Sequence, residues 1–269
     1  PRRSTLSRSA AGERHLRQVI ATNIDTVMVV CGLDGDFNPA RIERYFVLIE
    51  GSGAKAVVVL TKADLAADAQ ALTDQLKARM PAGTEIHAIN AKTGFGVDAL
   101  LAHLGPGSST VLVGSSGAGK STLTNTLLGE ARQSTQAVRA NDSRGRHTTT
   151  YRSLIMLPSG GCLIDTPGMR EVKLTGDESF DGGQFDDIEE LAGECRFGDC
   201  SHLAEPSCAV RAALDDGRLD PERWHSYLKL RDELAAAAES LEAQLRRKSE
   251  SRVLTKALGK RLDEKYGRH

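Results

Sequence analysis

Eight residues constrain this chain more than any other feature. Gly114-Ser-Ser-Gly-Ala-Gly-Lys-Ser121 fills every fixed position of the pattern GxxxxGK[ST]. It follows the apolar run Thr110–Val113 and opens a helical pattern, so the loop joins a strand to a helix. Glycines let successive backbone N–H groups approach an anion with no Cβ in the way. The helix N-terminus adds a favourable field for negative charge. Lys120 suits the β- and γ-phosphates, and the Ser121 hydroxyl suits Mg²⁺. Gly114, Ser115, Ser116, Gly117, Ala118, Gly119, Lys120, Ser121 and Thr122 are therefore the expected phosphate site. A plain Gly/Ser turn is the alternative, and the flanking strand and helix weigh against it.

The surrounding pattern gives the phosphate loop a scaffold. Apolar β-branched runs at Thr26–Cys31, Lys55–Leu60, Glu85–Ile89 and Thr110–Val113 read as strands. Helical patterns at Pro39–Glu50, Leu65–Met80, Val97–Leu104 and Lys120–Leu128 alternate with them. Such alternation predicts an α/β fold with a mostly parallel, doubly covered sheet. Residues 131–147 lack apolar periodicity and read as a mobile loop. Tyr151–Leu157 and Cys162–Ile164 flank the turn Pro158-Ser-Gly-Gly161 as a strand pair. A long helix is predicted from Pro221 to about Ser251.

Two more strand ends carry nucleotide chemistry. In Thr61-Lys62-Ala-Asp64 a buried carboxylate can accept from guanine N1–H and the 2-amino group together, donors that adenine lacks there. The Lys62 stem can cover the base face. Asp64 as a simple helix cap is the plainer alternative. Asn90-Ala91-Lys92 ends the next strand, where a backbone amide can meet the base oxygen. Further on, Asp165-Thr-Pro-Gly168 offers a carboxylate for the Mg²⁺ shell and an amide for the γ-phosphate. In open α/β sheets such ligands gather at the carboxyl ends of strands.

Their order is unusual. In the common GTPase arrangement the phosphate loop precedes the base-binding segments, whereas here TKAD and NAK come first. The chain reads as a circularly permuted GTPase, a change tolerated when the original ends lie close together at the surface. The γ-phosphate-sensing segment then runs directly into the C-terminal part.

The C-terminal part holds Cys195-x4-Cys200-x-His202-x5-Cys208. Three thiols and one imidazole make a closed tetrahedral set suited to structural zinc, with no position left for catalysis. Ordinary buried thiols are the alternative.

Permuted order, GSSGAGKS, GRHTTT, DTPG and this cluster resemble the bacterial circularly permuted, ribosome small-subunit-dependent GTPase family. The resemblance covers about residues 1–245. It implies a permuted Ras-like P-loop domain followed by a mainly helical zinc-binding domain, and GTP hydrolysis stimulated by the small (30S) ribosomal subunit during its late maturation. It implies GTP or GDP, Mg²⁺ and one Zn²⁺ as bound groups. His147 is the implied water-positioning residue. Thr149, with Thr148 as the nearby alternative, would reach Mg²⁺ and the γ-phosphate. GTP is expected to order residues 140–150 and 168–185. The expected division is a basic lead-in at 1–17, a GTPase domain at 18–187 and a zinc-binding domain with a basic tail at 188–269. The family carries an N-terminal OB-fold, and PRRSTLSR resembles the end of that region. Gly117 stands where potassium-activated relatives carry Asn, which speaks against potassium activation.

Charge fits a polyanionic partner. The net charge of −1 hides five Arg against one Glu in residues 1–17 and nine Lys or Arg against three acids in residues 246–269. The acidic middle lies between two basic ends, and the tail Arg246–Arg268 is a candidate rRNA contact. A solvated amphipathic helix is its alternative. Aromatic residues are only 4%, too few for a base-stacking platform to dominate. No apolar run reaches the roughly 18 residues of a membrane span, and residues 1–17 lack the apolar core of an export signal. Five cysteines, an odd count, without such a signal fit a reducing cytosol, so a cytoplasmic location is expected; a monomer is expected as well. Met169, after DTPG, cannot orient water as a Gln would. That keeps a rival alive, a nucleotide-gated assembly or placeholder protein in which binding matters more than turnover. An ATP-dependent kinase is the weaker rival, because TKAD favours guanine.

Overall fold

The computed structural model describes residues 1–9, 17–129, 152–166, 173–180 and 183–266. Two short strands come first, β1 (Thr5–Ser9) and β2 (Arg17–Thr22), paired antiparallel with a bulge between Leu6 and Ser7. Leu6 is fully buried, and Ser4 and Thr5 are tied to Ile24 and Ser52 by hydrogen bonds of 2.6–2.8 Å. The basic lead-in read from the sequence thus contributes a packed strand.

Next come β3 (Thr26–Gly32), α1 (Pro39–Glu50), β4 (Lys55–Thr61), α2 (Ala69–Lys77), β5 (Glu85–Ala88), β6 (Ser109–Val113), α3 (Lys120–Leu128), β7 (Ser153–Met156) and β8 (Cys162–Asp165). A six-stranded sheet runs in the order β5-β4-β3-β6-β8-β7, parallel except for the β7–β8 hairpin. Every residue of β3 is buried, as expected of a strand covered on both faces. Period-two alternation sorts its side chains. Val27, Val29 and Cys31 join Val58, Leu60 and Val111 on the face covered by α1, while Met28 and Val30 join Val57, Val59 and Leu112 on the face of α3.

Local capping corrects two expected helices. The stretch expected as one helix, Leu65–Met80, is a 3₁₀ turn at Ala63–Leu65 followed by α2, because Asp68 accepts from the Ala71 N–H at 2.9 Å and starts the helix there. Val97–His103 is a 3₁₀ helix entered through Gly96 at φ +75°. Asn38 caps α1, accepting from the Arg41 N–H at 2.9 Å, with Pro39 at the first position.

The C-terminal part adds α4 (Asp186–Gly193), α5 (Ala209–Asp215) and the 46-residue α6 (Pro221–Tyr266), which runs past the expected end near Ser251. Phe185, Ile188, Val210, Leu219 and Leu230 merge with the α1 side of the core. A buried ionic clamp ties the same parts. Glu43 of α1 accepts from Arg79 at 2.8 Å and from Arg223 of α6 at 3.0 Å, and Arg223 grips Asp187 of α4 through two bonds of 2.6 Å. Among the described residues no helix is long and apolar enough to cross a membrane.

Candidate functional site

The carboxyl ends of β4, β5, β6 and β8 carry the predicted motifs, and hydrogen bonds join them. Parallel pairing places Gly32 beside Thr61 and Leu112 beside Asp165, so the loops after these strands share one edge of the sheet. Thr61 Oγ1 donates to the Ala118 carbonyl at 2.6 Å, fastening the base-side strand to the phosphate loop. Thr126 of α3 donates to the carbonyls of Ala91 and, at 3.0 Å, Thr122. The Asn90 side chain accepts from the N–H groups of Lys92 and Thr93 at 2.9 and 3.2 Å, which fixes the NAK turn.

Two glycines of the phosphate loop are required by space. At Gly114, φ is +149° and a Cβ would lie 2.2 Å from the Val30 carbonyl oxygen. At Gly119, φ is +94° and a Cβ would lie 3.0 Å from Thr61 Oγ1. The loop therefore lies against the Val30 backbone of β3 and the Thr61 side chain of β4, an approach that only glycine permits at these two positions. Ser116, Gly117 and Ser121 remain partly or fully open to solvent, whereas Ala118 is buried.

Lys120 starts α3 and is buried. Its ammonium donates to the Gly114 and Ser115 carbonyls at 2.9 and 2.7 Å. Burial pulls its pKa down to about 8, while the charges of Asp165 and Asp36 pull it back up. Asp165 is fully buried at the end of β8, and Thr166 beside it donates to the Leu112 carbonyl at 2.7 Å. A carboxylate and the Ser121 hydroxyl are hard oxygen donors of the kind Mg²⁺ takes, so the residues present fit that ion.

The base side corrects one expectation. Asp64 is exposed on its 3₁₀ turn, not buried, and it is Asp68 that caps α2. Asp64 thus carries no helix-capping duty. Lys62 adopts φ +58° and pairs with Asp34. His147, Thr149 and Gly168, with Thr148 and Met169, lie outside the described residues.

Sequence reasoning missed Asp34 and Asp36, which follow β3. Asp36 accepts from the Ser115 hydroxyl and, at 2.8 Å, from Arg41 of α1. Its signal was available, since two acids lie within four residues of the end of a central parallel strand.

Cys195, Cys200, His202 and Cys208 come together beyond α4, with donor atoms all within 4.8 Å of one another. His202 Nδ1 is 3.6 Å from Cys195 Sγ and 3.5 Å from Cys208 Sγ, and those two sulfurs are 3.9 Å apart. A tetrahedral zinc with its usual bond lengths needs donor–donor edges of about 3.4–3.8 Å. The set therefore fits zinc. His202 takes a left-handed backbone, φ +61°, to aim inward, and its ring meets Trp224 of α6 edge to face at 5.7 Å.

Comparison with known proteins agrees with this geometry. The family model described as RsgA GTPase matches residues 1–175. The small ribosomal subunit biogenesis GTPase RsgA of Xanthomonas euvesicatoria pv. vesicatoria (strain 85-10) is 62% identical over 244 residues, 90% of this chain and 66% of that protein. The protein of the same name from Xanthomonas oryzae pv. oryzae (strain PXO99A) is 60% identical over the same shares. The chain thus spans just under two thirds of the length of these curated relatives. Among solved structures, YjeQ from Thermotoga maritima matches with a TM-score of 0.59 and 27% identity over 87% of this chain and 76% of that one. YloQ, a circularly permuted GTPase, matches with a TM-score of 0.52 and 26% identity over 86% and 78%.

Proposed function

Because this chain belongs to the RsgA GTPase family, we propose that it hydrolyses GTP in the late maturation of the small ribosomal subunit, with turnover stimulated by that subunit. The observation that carries the reading is the gathering of the motifs at the carboxyl ends of the strands, in permuted chain order: Thr61 bonded to the phosphate loop, Ala91 bonded to α3, and the Asp165 charge acting on Lys120. The subunit as partner rests on the relatives' names.

Gly114–Ser121 would wrap the phosphates with backbone N–H groups, and Lys120 would leave the Gly114 and Ser115 carbonyls to balance phosphate charge. Asp64 would select guanine, and Lys62 would cover the base. Ser121, Asp165 and Thr149 would hold Mg²⁺, which neutralises charge developing on the phosphate oxygens. His147 would position the attacking water, and the Gly168 amide would meet the γ-phosphate. One zinc would hold the C-terminal helices together through Cys195, Cys200, His202 and Cys208. The basic run 246–268 would face rRNA. The protein would act as a cytoplasmic monomer divided at residues 17 and 187.

Turnover of GTP and ATP, each measured with and without purified small subunits, tests the reading. GTP hydrolysis that rises with subunits is expected. Binding of GTP with no stimulation would replace the reading with a nucleotide-gated placeholder. A His147→Ala variant that kept stimulated turnover would end the water-positioning role.

A further inference from the structure

A second cluster of ligand-bearing side chains lies at the opposite end of the sheet from the phosphate loop, and neither the nucleotide chemistry nor the Cys₃His set uses it. β5 is an edge strand. Glu85 and His87 are two residues apart on it, so period-two alternation puts both side chains on one face. His103, the last residue of the 3₁₀ helix Val97–His103, closes over that face, its carbonyl held by the Thr110 hydroxyl at 2.8 Å.

Two imidazoles converge on one oxygen of Glu85. His103 Nε2 lies 2.8 Å and His87 Nε2 3.6 Å from Glu85 Oε2, and one donor atom from each of the three falls within 4.8 Å of the others. Lys55 engages the other oxygen, Oε1, and so leaves Oε2 to the two imidazoles. His87 Nε2 is buried with no hydrogen-bond partner. A buried ring nitrogen in that state costs free energy unless something completes it. An ion pair between Glu85 and His103 accounts for His103 and leaves His87 unexplained.

We propose that Glu85, His87 and His103 form a second metal site, taking a divalent ion of the zinc class through two imidazole nitrogens and one carboxylate oxygen. Two nitrogens and one oxygen are donors that zinc accepts, and three protein ligands leave a fourth position for water. Tetrahedral coordination needs nitrogen–oxygen edges of about 3.3 Å. The His87 pair is already near that length. The His103 pair opens by about half an ångström as the ion replaces the proton between its partners.

The test is a metal count on the whole chain. Zinc-saturated protein, freed of excess ion by dialysis against micromolar Zn²⁺, is expected to hold two equivalents. His87→Gln and His103→Gln are each expected to weaken the second equivalent at least tenfold and to keep the first. Cobalt substitution separates the sites, because only the Cys₃His site gives thiolate-to-metal charge transfer. A retained charge-transfer band shows that the variants fold. One equivalent in the parent protein overturns the proposal, and so does a second equivalent undiminished in both variants. Should a variant fail to fold, the count on the parent protein still decides.

Discussion

Lys120 holds its charge in a poor medium. Its pKa falls from the ordinary 10.5 to about 8 because burial penalises the ammonium more than Asp165 and Asp36 support it. Between those two values the unfolded chain binds the proton and the nucleotide-free fold does not. Stability from this group therefore rises with pH from about 8 toward 10.5. A triphosphate restores the charge, so GTP binding above pH 8 takes up a proton. Affinity is expected to fall about tenfold per pH unit there. Titration calorimetry in two buffers of different ionisation enthalpy checks the uptake. At the base side, the guanine-selecting role proposed for Asp64 has a direct test: Asp64→Asn would remove the acceptor for both guanine donors and should weaken GTP at least about a thousandfold. It should also narrow the preference over xanthosine triphosphate, whose ring carbonyl can accept from the new amide. Competition between the two nucleotides measures this.

At the scale of elements, legibility followed the range of the interactions. The six strands of the larger sheet and the phosphate loop are set by neighbours in the chain, and the structure places them close to where the sequence predicts, whereas β1 and β2 were not foreseen in the basic lead-in. The 3₁₀ turn at Ala63–Leu65 escaped because Asp64 and Asp68 are both plausible caps, and only Asp68 makes the bond. Asp36 escaped because its partners, Ser115 and Arg41, are a loop and a helix brought together by the fold. The Glu43 clamp escaped for the same reason. Its three elements are far apart in sequence, and an acid and two arginines read as surface until they are seen buried. Glu43→Ala leaves two guanidinium groups without that acceptor, each less than a tenth exposed. A loss of about 3 kcal/mol is expected, since stranding a buried charge costs more than removing a pair. Urea unfolding of the variant beside the parent protein measures it.

At the scale of the molecule, the C-terminal helices are fastened twice, through the Arg223 clamp and through the Cys₃His set. Trp224 is the only tryptophan and its ring lies against His202. On the proposed zinc site, a chelator should therefore change its emission and weaken the packing of α4 and α5, while nucleotide binding at the carboxyl ends of the strands persists. Emission and GTP affinity recorded on the same chelated sample check both halves. The length of α6 has a mechanical consequence. At 1.5 Å per residue, the stretch from Arg223 to Tyr266 reaches about 65 Å. With its near end pinned at Arg223, the helix is a lever, and a tilt of about 5° sweeps the far end through roughly 6 Å, a displacement as large as one helical turn.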